Sequence, residues 1–94
     1  MREREIEAYF VKRVKEYGGE QRKWVSPGHK GVPDRVLVLG GNVYFVELKA
    51  PGKAPRPDQL REHDKLRRQG ACILIIDGEE GVDAFLPPRR TTCL

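Results

Sequence analysis

The chain of 94 residues carries 18 basic and 14 acidic side chains, giving a net charge of +4 and a pI near 9.3. That length allows one domain with a single modest core, and a hydrophobic content of 38% excludes a wholly disordered chain. The longest apolar run, residues 71–76, is too short to span a membrane. Two cysteines are too few for a disulfide framework and favour a cytoplasmic protein. The basic balance indicates an anionic partner, most commonly nucleic acid.

The N-terminal half of the sequence predicts one helix and a β-hairpin. Apolar side chains recur at helical spacing over residues 2–17, so we assign an N-terminal helix to the segment 1–19. Glycines and prolines mark residues 20–33 as a connecting loop. Two β-forming runs follow over residues 35–39 and 43–49, and the Gly-Gly-Asn segment between them is typical of a hairpin turn.

The C-terminal half predicts a second helix and a further strand. The helix extends from Pro57 to Gln69, because proline suits the first turn of a helix. Residues 71–76 are apolar throughout, which favours a buried, central strand. Residues 81–86 are compatible with a short helix or strand, and residues 87–94 are expected to form a flexible tail.

The resulting order, α-β-β-α-β, predicts a single α/β domain over residues 1–94. The second strand, the second helix and the last strand form a crossover unit, whose two strands should run parallel. Together with the hairpin, this unit predicts a mixed β-sheet flanked by helices.

Three charged residues interrupt the apolar hairpin: Asp34 at its entrance, and Glu47 and Lys49 at its end. Because strand side chains alternate, Glu47 and Lys49 point to the same face. A two-residue turn at Gly41-Asn42 would place Asp34 opposite Lys49 and diagonal to Glu47, whereas a slip of one residue would move Asp34 to the other face. The favoured register therefore predicts two carboxylates close enough to share a cation.

These residue types suit metal-dependent hydrolysis of a phosphodiester. Asp34 and Glu47, with no cluster of histidines or thiolates, favour Mg²⁺ or Mn²⁺ over zinc, and the backbone carbonyl of Leu48 can join the metal shell. Lys49 can then orient the attacking water or stabilise charge on the phosphate. The alternative is an ordinary solvated or ion-paired strand face, because a Glu-x-Lys triplet alone is common by chance.

The quoted motifs also resemble a known family. The segments "GVPDR", "VYFVELKAPG" and "DQL" resemble, over about residues 3–83, the VRR-NUC branch of the PD-(D/E)XK nuclease superfamily. More closely, they are similar to its short stand-alone members from phages and bacteria, although no Val-Arg-Arg triplet occurs here. The resemblance implies a restriction-endonuclease-like fold and metal-dependent DNA cleavage in the cytoplasm of a bacterial cell or phage-infected host. Stand-alone members are similar to Holliday junction resolvases, which act as homodimers on four-way junctions.

The resemblance also implies roles for individual residues. It assigns site positions to the following side chains: Asp34, Glu47, Lys49, Gln59 and Glu7. Glu7 would be a further metal ligand from the first helix, although Glu3 lies one turn away on nearly the same face. Gln59 would support the site from the start of the second helix, where an ordinary polar residue is the alternative.

Basic side chains near these positions are candidates for contacts with DNA phosphates. They are Lys23, Lys30, Arg35, Lys53 and Arg56. Trp24 is interpreted as a core residue in preference to a base-stacking one, and His63 as a half-buried packing residue. The basic residues of the second helix are compatible with a merely solubilising surface.

The sequence leaves several functions open. The sharpest is a homodimeric endonuclease for branched DNA, with the apolar face of the first or second helix as its dimer interface. A flap or nicking nuclease of other specificity is the second, and a DNA-binding module that keeps the fold without the chemistry is the third. A substrate panel separates the first two, and metal-dependent cleavage separates both from the third.

Overall fold

A four-stranded mixed sheet with three helices forms residues 1–86, the part of the chain that the computed structural model describes. The elements in chain order are α1 (Glu3–Glu16), β1 (Glu20–Lys23), β2 (Arg35–Leu39), β3 (Asn42–Leu48), α2 (Pro57–Arg68), β4 (Ile73–Ile76) and α3 (Glu79–Phe85). The predicted α/β fold is confirmed, and the flexible tail predicted over 87–94 lies outside the described residues. Within those residues, no helix has the length and apolar character needed to cross a membrane.

The structure adds two elements to the predicted order. Strand β1, with the sequence Glu-Gln-Arg-Lys, pairs antiparallel with β2 at one edge of the sheet. Its residues are all polar and mostly exposed, so the apolar alternation that identifies a strand is absent. Helix α3 resolves the open assignment of residues 81–86, and it begins earlier, at Glu79.

The last strand differs from its prediction in position. Strand β4 pairs parallel with β3, as the crossover unit predicts, but it forms the edge of the sheet and is not central. Ile73 and Ile76 are buried, whereas Ile75 is 40% exposed. Its continuous apolar sequence therefore reflects packing of the buried side chains and not enclosure between two neighbouring strands.

The hairpin turn lies one residue earlier than predicted. Leu39 pairs with Asn42, so the two-residue turn is Gly40-Gly41, with φ values of +62° and +86°. A tight turn with positive φ at both central positions is least costly for two glycines. The pairing shifts by two residues, and continuing it by one position places Asp34 opposite Glu47. The predicted pairing with Lys49 is wrong, but the shift is even and keeps Asp34 on the predicted face.

The core lies between α1 and one face of the sheet. Ile6, Phe10 and Val14 form the apolar stripe of α1, and all three are essentially inaccessible to solvent. They belong to one buried cluster with Leu37 and Val46 of the two central strands. Burial of each large apolar side chain contributes about 1.5–3 kcal/mol. This face of α1 is consequently occupied within the chain, which excludes it as the predicted dimer interface.

Candidate active site

Glu47 is a buried carboxylate on the opposite face of the sheet from α1. Only 1% of the residue is exposed, which is costly for a charge unless partners compensate for the lost water. Its Oε2 accepts a hydrogen bond from Gln59 Nε2 at 2.9 Å and lies 3.3 Å from Lys49 Nζ. The structure thus brings together three of the predicted site residues around one carboxylate oxygen.

Asp34 is held beside Glu47 by the backbone of β3. Its Oδ2 accepts a hydrogen bond from the amide of Leu48 at 2.8 Å, and its carbonyl accepts one from the amide of Trp24 at 2.9 Å. These bonds join the residue before β2 to β3 on one side and to the residue after β1 on the other. The Asp34 carboxylate is therefore fixed against the amide of Leu48, the residue that directly follows Glu47 in β3.

The electrostatics of this pair suit a cation. Burial and the negative charge of Asp34 raise the pKa of Glu47, while Lys49 acts in the opposite direction. Glu47 Oε1 has no hydrogen-bond partner among residues 1–86, although it is fully buried. An orphaned carboxylate oxygen beside a second carboxylate fits a hard divalent ion such as Mg²⁺ or Mn²⁺. No group of three or more His, Cys, Asp or Glu side chains suited to a metal occurs in the described part, so water would complete the shell.

Gln59 is positioned by the first turn of α2. Pro57 begins the helix, and Gln59 Oε1 accepts a hydrogen bond from the amide of Arg56 at 2.8 Å, which satisfies one free N–H at the helix start. The amide nitrogen of the side chain is then left to face Glu47. One side chain therefore both caps the helix and holds the buried carboxylate.

His63 lies one turn further along the same face of α2, and sequence reasoning missed its position. It is 0% exposed, not half-buried, and its Nε2 is 3.6 Å from Glu47 Oε1. Burial, together with the positive charge of Arg67, lowers the pKa of the imidazole. The signal that could have found it is the spacing of four from Gln59, which puts both side chains on one helix face.

Glu7 and Arg35 form a different cluster. Glu7 Oε2 is 2.8 Å from Arg35 Nη2, and Arg35 Nη1 donates to Gln21 Oε1 at 2.6 Å. Arg35 pairs with Val46 in the sheet, so its side chain and that of Glu47 point to opposite faces. The structure therefore does not bring Glu7 to the carboxylate pair, and Arg35, only 6% exposed, is not placed to contact DNA.

Glu3 is the acidic residue of α1 whose charge affects the pKa of Glu47. Its negative charge is a minor cause of the raised pKa of Glu47, after burial and the charge of Asp34. Glu3 is exposed at the start of the helix, whereas Glu7 is neutralised by Arg35. Two observations therefore support Glu3 over Glu7: its effect on the pKa of Glu47 and the engagement of Glu7 by Arg35.

The remaining basic candidates are all exposed: Lys23, Lys30, Lys53 and Arg56. Arg56 contacts Asp58, with Nε 3.2 Å from Oδ1. Trp24 is only partly buried and packs against Phe45, with ring centroids 5.2 Å apart. Trp24 is thus engaged with the sheet on the face that carries Glu47, and the core interpretation is wrong, because Trp24 is not among the buried core residues of the described chain.

The loop before β2 is fastened to α2. His29 Nε2 lies 2.8 Å from Glu62 Oε1, and Glu62 is only 9% exposed. Gly31 has φ of +86° and packs so closely that a Cβ there would lie 2.8 Å from the carbonyl oxygen of Asp58. The loop that delivers Asp34 therefore rests on the same helix that supplies Gln59.

Comparison with known proteins identifies the family of the chain. A protein described as "Putative nuclease p44", from Acyrthosiphon pisum secondary endosymbiont phage 1, is 44% identical over 88 residues, which cover 93% of this chain and 94% of that protein. A solved structure described as a VRR_NUC domain has a TM-score of 0.84 at 32% identity, covering 94% of this chain and 97% of that one. A scan against models of protein families finds no match. The chain belongs, as its motifs predict, to the family of VRR_NUC nuclease domains.

Proposed function

We propose that this nuclease is a metal-dependent DNA endonuclease whose active site is built on Asp34, Glu47, Lys49 and Gln59. The observation that carries the proposal is the buried Glu47 carboxylate, which has one oxygen engaged by Gln59 and Lys49 and the other without a partner in the described chain. A purely structural carboxylate would have both oxygens satisfied. Family membership supports hydrolysis of phosphodiester bonds as the chemistry.

Asp34, Glu47 and the carbonyl of Leu48 are the groups we propose to hold Mg²⁺ or Mn²⁺. When bound, such an ion neutralises charge on the scissile phosphate and lowers the pKa of a coordinated water. Glu47 Oε1 is the oxygen left free for it. The amide of Leu48 fixes the Asp34 carboxylate, so the donor atoms are in place before the substrate arrives.

The other side chains of the proposed site position the Glu47 carboxylate and stabilise charge on the phosphate. The Lys49 side chain is only 11% exposed, and its ammonium group lies 3.3 Å from Glu47 Oε2. In this position it can stabilise negative charge that develops on the phosphate. Gln59 prevents rotation of the Glu47 carboxylate by holding Oε2. Glu3, in preference to Glu7, adds negative charge near the site from the first helix.

The substrate we propose is branched DNA, in particular a four-way junction, bound by a homodimer. The exposed side chains of Lys23, Lys30, Lys53 and Arg56 supply positive charge for the phosphates. A domain of 94 residues offers little surface to one branched substrate, and a symmetric dimer would hold two active sites at a fixed separation. A bacterial or phage-infected cytoplasm is the compartment that this substrate implies.

The dimer surface we propose is the hairpin end of the sheet face carrying the site, four residues along the strands from Asp34 and Glu47. Val38 and Val43 are cross-strand partners there, and they are 46% and 54% exposed. Leu60 of α2 is also 48% exposed, so the second helix still offers an apolar contact. Analytical ultracentrifugation of the chain and of Val43→Glu tests this surface, because a buried carboxylate should convert a dimer to a monomer. A wild-type monomer contradicts the dimer, and an unchanged dimer in the variant contradicts this surface.

The test of the function is cleavage of a labelled four-way junction beside a matched linear duplex, in Mg²⁺, Mn²⁺ and EDTA. Lys49→Ala is the active-site variant, and Lys65→Ala, on the exposed side of α2, is its control. We expect metal-dependent paired incision of the junction, lost in Lys49→Ala with DNA binding retained and unchanged in Lys65→Ala. Binding without incision in any metal contradicts the nuclease proposal. Cleavage of duplex, flap or nicked substrates as fast as the four-way junction would instead contradict the proposed specificity for junctions.

A further inference from the structure

His63 and Glu47 present unsatisfied polar atoms to each other. The imidazole is completely enclosed, and neither ring nitrogen has a hydrogen-bond partner within residues 1–86. Glu47 Oε1, 3.6 Å from His63 Nε2, is orphaned in the same way. Buried polar groups almost always have partners, so two facing orphans indicate a bond that the site uses.

We propose that His63 is a positioning residue that donates its Nε2–H to Glu47 Oε1 and thereby sets this oxygen for the metal ion. The inference rests on the proposed metal-dependent function. The distance of 3.6 Å needs to shorten by only a few tenths of an ångström, and hydrogen bonds in active sites are often long before ligands bind.

The lone pairs of Glu47 allow this double use of Oε1. The other oxygen, Oε2, is occupied by Gln59 and Lys49. A carboxylate oxygen has two lone pairs, so Oε1 can accept from His63 and bind a cation at the same time. Hydrogen bonds of this type to a ligating carboxylate typically change metal affinity by about 10–100-fold.

Two other roles for His63 fit the structure less well. The described residues contain no group of three His, Cys, Asp or Glu side chains suited to a metal, which argues against His63 as a ligand itself. A residue that merely filled space would be apolar here, because an enclosed imidazole loses its water at both nitrogens. The position on the face shared with Gln59 instead places a second donor against the same carboxylate.

The test measures Mn²⁺ affinity by electron paramagnetic resonance in the full chain and two variants. His63→Leu removes the donor while keeping the volume, and His63→Gln offers an amide donor in its place. We expect His63→Leu to bind Mn²⁺ about 10-fold more weakly or worse, and His63→Gln to recover most of that loss. Lys65→Leu, on the exposed side of the same helix, is the matched control and should bind as the wild type does. In cleavage assays, kcat should fall in His63→Leu while KM for DNA stays constant.

A measurement on the wild type keeps the inference decidable if a variant fails to fold. Long-range ¹H–¹⁵N NMR of the histidine rings should show a proton on Nε2 of His63, shifted by hydrogen bonding and altered in Glu47→Gln. An unprotonated Nε2, unchanged Mn²⁺ affinity in His63→Leu, or equal weakening in both variants overturns the positioning role. Absence of Mn²⁺ binding in the wild type, or its persistence in Glu47→Gln, instead overturns the proposed metal site.

Discussion

The side-chain amide of Gln59 joins two elements with opposite ends: Nε2 donates to Glu47 Oε2 at 2.9 Å while Oε1 accepts from the Arg56 amide at 2.8 Å. Flipping the amide would break both bonds, so its orientation is determined. The first turn of α2 is thereby attached to the end of β3. One side chain consequently makes both the helix cap and a contact in the candidate site, so its truncation removes both.

Gln59→Ala should therefore lower both stability and activity. Loss of the cap should cost about 1 kcal/mol, and release of Glu47 should weaken Mn²⁺ binding by about 10-fold or more. Urea unfolding and Mn²⁺ titration measure the two effects on one sample. Gln69→Ala, at the exposed end of the same helix, is the control and should change neither. Unchanged metal affinity in Gln59→Ala would contradict the role of this residue in holding Glu47.

Alternation along the strands was sufficient to predict the central part of the site. Asp34 and Glu47 share a face in every register of the correct parity, so misplacing the turn by one residue did not separate them. Gln59 came from the family resemblance and not from periodicity. The face of the sheet that a strand residue occupies depends only on the parity of the register, and it can thus be predicted from sequence.

The face that α2 buries could not be predicted, because polar contacts select it. Leu60, one of the few apolar residues of α2, is 48% exposed, while Gln59, Glu62 and His63 are buried. Hydrophobic periodicity therefore gives little guidance to the buried side of such a helix. The choice between Glu3 and Glu7 likewise depends on how α1 is placed along the sheet, which no local pattern encodes.

Replacing Glu47 by glutamine should stabilise the metal-free protein. The raised pKa of Glu47 means that the fold favours its neutral form, and stability is therefore lost as pH rises from the ordinary value of 4.5 through the folded pKa. At neutral pH in EDTA, we expect Glu47→Gln to melt several degrees higher, since about 1 kcal/mol shifts Tm by roughly 4–8 °C in such a domain. Mn²⁺ should raise Tm of the wild type but not of the variant. A lower Tm in EDTA would show that the Lys49 ion pair outweighs burial.

Removal of Glu7 should lower stability alone, whereas removal of Glu3 should lower Mn²⁺ affinity alone. Glu7→Ala removes the ion-pair partner of the buried Arg35 guanidinium and leaves its bond to Gln21, which should cost about 1–3 kcal/mol of stability without changing Mn²⁺ affinity. Glu3→Ala should keep the wild-type Tm and weaken Mn²⁺ binding about threefold, because it removes a partly screened negative charge. The reverse pattern would restore Glu7 as the acidic residue of the site.

The contact between α1 and α3 should be lost in acid. Asp83 Oδ1 accepts from Tyr9 Oη at 2.6 Å and lies 3.2 Å from Arg13 Nε, and the Tyr9 bond is the main cause that lowers the pKa of Asp83. A lowered pKa stabilises the fold above the ordinary value of 3.8, and the effect disappears as pH falls through the folded pKa. Asp83→Asn should thus melt a few degrees below the wild type at pH 7, and the two should converge once the pH falls below the folded pKa of Asp83. A constant difference across that range would contradict the ionic contribution.

Gly31 should tolerate a methyl group far less well than Gly40, although both have positive φ. At Gly40, with φ of +62°, an added Cβ meets nothing within 4 Å among residues 1–86, so alanine should cost about 1–2 kcal/mol for the left-handed backbone alone. At Gly31, with φ of +86°, the Cβ would lie 2.8 Å from the carbonyl oxygen of Asp58, so the loop must leave α2.

The free energy of unfolding of Gly31→Ala, measured in urea, should accordingly be lower than that of the wild type by about 3 kcal/mol or more. The reason is that the steric clash adds to the same backbone strain. It should also weaken Mn²⁺ binding, since the displaced loop carries Asp34, whereas Gly40→Ala should retain the wild-type affinity. Equal losses of stability in the two variants would show that the loop yields without disturbing the helix. Intact metal affinity in a destabilised Gly31→Ala would show instead that Asp34 is held by its bond to Leu48, independently of the loop.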